Sequence, residues 1–137
     1  MTIRAAPELP EEGRDFLPAQ RAILALYQSG GLTEAALLGF AKAYRYHETV
    51  AALSAMSGIP IMALDRLMAG DRHDPVLILG KAIGLEWPTV RALILQRLGP
   101  ARIPASADIE MIRTNFLRLM PATAERVVSF WRMRPSA

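Results

Sequence analysis

The feature that most restricts this 137-residue chain is a glycine step that recurs at near-constant spacing. Gly31-Leu32, Gly58-Ile59 and Gly84-Leu85 follow one another at intervals of 27 and 26 residues. Apolar residues keep register around each step. Leu26, Leu53 and Leu79 stand five before the glycine; Leu37, Leu64 and Val90 stand six after it; Phe40, Leu67 and Leu93 stand nine after it. His47-Glu48 and His73-Asp74 also coincide, 26 apart. Self-similarity at such a period marks helix, glycine turn, helix units. One helical hairpin cannot bury its apolar stripe alone, whereas stacked neighbours can. The expected fold is therefore all-α: stacked helix-turn-helix hairpins in a short α-solenoid-like array or irregular bundle, about eight helices in all. Two copies read well and the first is degraded.

Local signals place the helices. Residues 1–14 read as a flexible lead-in, with Pro7, Pro10, Gly13 and no apolar period. Residues 15–137 read as one helical domain, with the repeats over about 31–98 and a capping helix pair over 106–134. Asp15 is placed to cap a first helix that Gly30-Gly31 ends. Thr33 caps a second that runs to about Tyr46, and a third covers about 48–57. Pro60 opens a fourth, which Gly70 stops. Asp74-Pro75 starts a fifth as capping aspartate and first-turn proline, and Gly84 ends it. The sixth covers about 86–98, Gly99, Pro100 and Pro104 form a linker, and two further helices begin near Ser106 or Asp108 and at Pro121.

Composition bears on partners. Hydrophobic residues make up 52% of the chain but aromatics only 7%, so the apolar mass is helix-tolerant aliphatic residues with surface left to cover. A protein partner or self-association would cover it. No run of eighteen apolar residues exists to span a membrane, and the first residues lack the apolar stretch of a secretory signal. The chain holds no cysteine, which removes disulfides and thiolate chemistry and fits a cytoplasmic protein. The net charge of +3 arises wholly after residue 98, where six arginines face Asp108, Glu110 and Glu125. That excess is mild for a dedicated nucleic-acid binder.

The same glycine turns imitate a DNA-binding helix-turn-helix. A recognition helix must present polar side chains from its first turns to base edges. Here those positions hold Pro60, Ile61, Met62 and Asp65 in one copy, and Glu86, Trp87, Pro88 and Arg91 in the next. Apolar and acidic groups suit that task poorly, so the structural reading of the hairpins outweighs the DNA-binding one.

No catalytic constellation stands out. His47-Glu48 opens like a zinc-protease helix motif, but Ala51 occupies the second ligand position. His47 and His73, each expected just before a helix start, would meet in a stack near Glu48, Asp71 and Asp74. Two such ligands fall short of a zinc site. No cofactor is implied. In the last helix, Val127, Phe130 and Trp131 face one way, while Arg126, Arg132 and Arg134 supply charge. Docking onto the last repeat outweighs a membrane-surface role for it. The candidate partner-binding residues are Ile61, Met62, Trp87, Arg91, Arg126, Trp131, Arg132 and Arg134.

Several segments carry a family resemblance. They are Leu32-Thr33-Glu34-Ala35-Ala36-Leu37-Leu38, Glu48-Thr49-Val50-Ala51-Ala52-Leu53-Ser54, the run from Lys81 through Gly84-Leu85-Glu86-Trp87-Pro88-Thr89-Val90 to Arg91, and the closing run from Ala124 through Phe130-Trp131-Arg132. Together they resemble the bacterial domain-of-unknown-function family numbered 2336, found mainly in alphaproteobacteria, over about residues 32–134. The resemblance implies a helical domain, carries no catalytic residues across, and suggests the C-terminal portion of usually longer members.

These readings converge on a non-enzymatic helical interaction, regulatory or scaffold module. A helix-turn-helix DNA-binding regulator is the alternative, and a metal-dependent enzyme the third.

Overall fold

The computed structural model describes residues 15–133. Eight helices and no strand occur among them: α1 (Leu17–Gln28), α2 (Glu34–Lys42), α3 (Tyr46–Ser57), α4 (Ile61–Ala69), α5 (Asp74–Ile83), α6 (Trp87–Leu98), α7 (Ser106–Arg118) and α8 (Pro121–Met133). The 1–14 lead-in and Arg134 lie outside the described residues.

Two helices form the centre. Helix α3 packs against α1, α2, α4 and α5, while α5 packs against α3, α4, α6, α7 and α8. Five consecutive residues of α3, Thr49 to Leu53, are buried, so this helix is enclosed on most of its circumference. Val50, Leu53, Leu64, Leu79, Val90, Leu93, Ile94 and Val128 are sealed from solvent in one core. Each such side chain contributes about 1.5–3 kcal/mol of transfer free energy, which the cost of ordering the chain largely offsets. Gly80 lets α5 sit this deep. A Cβ there would stand 2.7 Å from Val90 Cγ2 and 3.6 Å from the Phe116 ring.

The α3–α4 and α5–α6 hairpins turn alike. Gly58 and Gly84 hold left-handed backbone, with φ of 78° and 81°, and the next helix begins three residues after each. An L side chain avoids that conformation, whereas glycine adopts it freely. Buried Ile59 and Leu85 follow the two glycines into the core. The first copy differs from the sequence expectation. Its left-handed residue is Gly30, φ 79°, not Gly31. The Gly31 amide instead donates to Leu26 O at 2.7 Å, as Leu85 donates to Gly80 O at 2.8 Å. The helix end, not the repeat register, decides which residue turns left-handed, because this bond counts back from the last helical carbonyls.

Other boundaries also moved. Thr33 accepts the Ala36 amide at 3.2 Å, as expected of a cap, whereas Asp15 stands one residue before Phe16, the N-cap of α1, and accepts only the Leu17 amide at 3.0 Å. Helix α2, however, stops at Lys42 rather than Tyr46, and Tyr44 takes the left-handed turn with φ 57°. Its geometry closes with Arg45 N–H donating to Phe40 O at 3.0 Å. Helix α3 starts two residues earlier than expected, which puts His47 inside its first turn. Asp74 does not cap α5. It lies in the first turn and its carboxylate is taken by Arg72, two residues before it.

Candidate interaction groove

Helix α6 brings together two of the residues singled out in the sequence. Its N-terminal end is fixed by Glu34 at the start of α2. One carboxylate oxygen of Glu34 accepts from the Glu86 amide at 2.8 Å and from Thr89 Oγ1 at 2.6 Å. A carboxylate at the positive end of a helix is favourable, and here it also clamps α2 against α6. The Trp87 ring then packs against Phe116 of α7, centroids 5.9 Å apart, and Lys81 lies over the Phe116 face at 4.2 Å. Trp87 is thus half-buried, with one edge left outside.

That edge borders a groove of about 410 Å³ between α6 and the end of α2. Trp87, Ala41, Leu95 and Tyr44 give it apolar walls, and Lys42 and Arg91 stand on its rim. Beyond Arg91 and Leu95 a second depression of about 440 Å³ continues under the linker, where Ile103 and Arg102 join the lining and Glu110 is its one acid. Lys42, Arg91 and Arg102 form no ion pair among the described residues. Ile103 is 91% exposed, so the linker adds an apolar side chain with almost no cover of its own. Tyr44 is held here in its left-handed conformation, which costs a non-glycine residue roughly 1–2 kcal/mol. Strain of this kind concentrates at working surfaces.

The remaining candidates disperse. Ile61 and Met62 are half-buried at the start of α4 and pack on the core. Ile61 borders a separate shallow groove between α1 and α3 with Leu24 and Tyr27. Trp131 also packs on the core. Arg132 reaches back to the α3–α4 turn and donates to Ser57 O at 2.6 Å, so it fastens α8 to the body. Arg126 is exposed on α8. The histidines have different neighbours: His47 packs at a tilt against the Phe16 ring, centroids 4.9 Å apart, and His73 contacts Arg97. No three His, Asp or Glu side chains among the described residues are grouped to hold a metal ion, so the imagined His47–His73 cluster does not form. No described helix is long and apolar enough to cross a membrane.

The sequence reading missed Tyr44, Lys42 and Leu95. A turn without glycine gives no warning of a left-handed residue, and a lone surface lysine carries no signal. Leu95 follows the apolar pattern of α6, so nothing in the sequence set it apart.

A family model described as an uncharacterised protein conserved in bacteria, DUF2336, matches residues 2–129. The chain belongs to this family. The match begins well before residue 32, where the resemblance was read, and stops just short of the Phe130-Trp131-Arg132 segment. It spans both walls of the groove, including Tyr44, Trp87 and Arg91. No curated protein and no solved structure matches the chain.

Proposed function

We propose that this protein is a non-enzymatic interaction module that seats an acidic, apolar-faced segment of a partner protein in the groove between α2 and α6. The observation that carries this reading is the juxtaposition of Trp87, Tyr44 and Leu95 with the unpaired cations Lys42, Arg91 and Arg102. Aromatic residues and arginine dominate binding energy at interfaces, and a cationic rim selects an acidic partner and speeds its approach. The repeated hairpin reading fits, since stacked hairpins hold such a groove on rigid helices. Lack of cysteine is compatible with action in the cytoplasm.

A photo-crosslinking residue at Leu95 tests the proposal in host cells, with one at Ala122 on the outer side of α8 as control. Leu95 captures a discrete partner that Ala122 does not, and Lys42→Glu with Arg91→Glu abolishes the capture. Equal capture at both positions, or capture indifferent to charge reversal, overturns it.

The DNA-binding alternative has less support. Six residues of α6 are buried and its first turn already holds the Glu34 carboxylate, which leaves little of it for a DNA groove. The start of α4 offers half-buried Ile61 and Met62, and Asp65 is buried and accepts Tyr46 Oη at 2.6 Å. Duplex binding that weakens with salt and is lost in Arg66→Ala and Arg91→Ala would put that reading first.

A further inference from the structure

A second cleft, of about 550 Å³, opens where the end of α4 and the start of α5 meet the end of α6. Its lining is largely polar, in contrast to the interaction groove. Arg97, from the last turn of α6, is half-buried there. Its Nε donates to Met68 O at 2.9 Å, its Nη2 donates to Gly70 O, and its Nη1 lies 2.7 Å from His73 Nδ1. These acceptors are all neutral, and no carboxylate pairs with Arg97 among the described residues. A partly desolvated guanidinium without a counter-ion is costly, because the lost hydration of its charge is returned only in part.

Three more groups face the same cleft. An arginine only donates, so His73 Nδ1 accepts and the proton of neutral His73 sits on Nε2, free to donate. Arg102 is exposed and its side chain makes no hydrogen bond or ion pair within the described fold. Gln96 is 92% buried (8% exposed), donates through Nε2 to Thr49 Oγ1 at 3.1 Å, and leaves its own Oε1 without a partner. That oxygen is closed off from solvent, so a molecule in the cleft does not reach it. Burial pulls the Arg97 pKa below its usual value, and Asp71, which also lines the cleft, opposes that shift without forming an ion pair.

We propose that this cleft binds a small organic anion bearing hydroxyl or amino donors, its carboxylate or phosphate set against Arg97, Arg102 and the His73 Nε2–H, its donors toward Asp71. The anion supplies the counter-charge that Arg97 lacks, and its donor groups are what distinguish it from a plain inorganic ion. The site is separate from the interaction groove except for Arg102, which borders both.

Nuclear magnetic resonance titration of the full chain tests this, with inorganic phosphate, citrate and glucose 6-phosphate as probes against potassium chloride at matched ionic strength. The expected result is saturable amide shifts confined to residues 68–73, 96–98 and 102, with glucose 6-phosphate or citrate binding more tightly than phosphate. Arg102→Gln, which removes no bond of the fold, weakens binding about tenfold, as expected for a charge-assisted hydrogen bond. Asp71→Asn weakens glucose 6-phosphate but not inorganic phosphate. Lys42→Glu, on the interaction groove alone, leaves all of it unchanged, which separates the two sites. Shifts no different from chloride, a response equal in Arg102→Gln, or an adventitious ion only, with phosphate binding as well as the larger anions, would overturn the proposal. So would an Asp71→Asn variant that treats all probes alike, or a Lys42→Glu variant that loses binding.

Discussion

Gly39 and Gly84 show how one residue type carries opposite consequences. Gly39 lies within α2 at an exposed position, with nothing within 4 Å of the Cβ it lacks and an ordinary helical backbone. Gly84 also has open space around it, but its φ is 81°. Gly39→Ala is expected to stabilise the fold by about 0.5–1 kcal/mol, since alanine loses less entropy in a helix. Gly84→Ala is expected to destabilise it by roughly 1–2 kcal/mol through backbone strain alone. Urea denaturation of both variants separates the two effects, and opposite signs are the expected outcome. Tyr44 presents the converse case. It sits where glycine is the usual residue, so its side chain is kept at a cost, in the wall of the groove.

Between elements, the fold is held at helix ends by side chains that arrive from elsewhere. Arg97 covers the carbonyls that close α4, Arg132 covers Ser57 O at the end of α3, and Glu34 covers the start of α6. Each satisfies backbone groups that a helix cannot satisfy itself. Glu34→Ala removes two charge-assisted bonds and is expected to cost about 1.5–3 kcal/mol. Hydrogen exchange would show the loss as faster exchange in α2 and the first turn of α6, with α8 unchanged. A uniform rise across the chain would mean that the clamp is not local.

Across the whole molecule, stability should carry the signature of His73. Burial holds its pKa below the usual 6.5, with the charge of Arg97 acting in the same direction and Asp74 opposing them. The folded chain therefore binds a proton at His73 less readily than the unfolded chain does. The stabilising contribution is whole above about pH 6.5 and declines as pH falls through the folded value, below which it is absent. Urea midpoints measured between pH 7.5 and 5 should fall more steeply in the native chain than in His73→Gln. An identical slope in the two would show that the Arg97 contact does not depend on His73 being neutral. Protonation there places two cations together and loosens the turn between α4 and α5, so the anion cleft and the stability of the fold share one titrating group.

The sequence by itself determined the helical class, most helix positions and the glycine turns. Each depends on signals within one or two helical turns: apolar period, a capping oxygen, a glycine able to turn left-handed, a proline at a helix start. It also carried the family, through short segments that survive as sequence. Trp87 and Arg91 could be singled out because they are unusual residues at a helix start. Only the tertiary structure decided that they share a groove with Tyr44 and Leu95. It also decided that Glu34 clamps α6 and that Arg97, His73 and Gln96 meet in a second cleft. Those contacts join residues 24 to 55 apart in the chain. No local preference encodes such meetings. They follow from how the buried faces of α3 and α5 gather the other helices around them, and the recurring glycine steps set only the turns that make that gathering feasible.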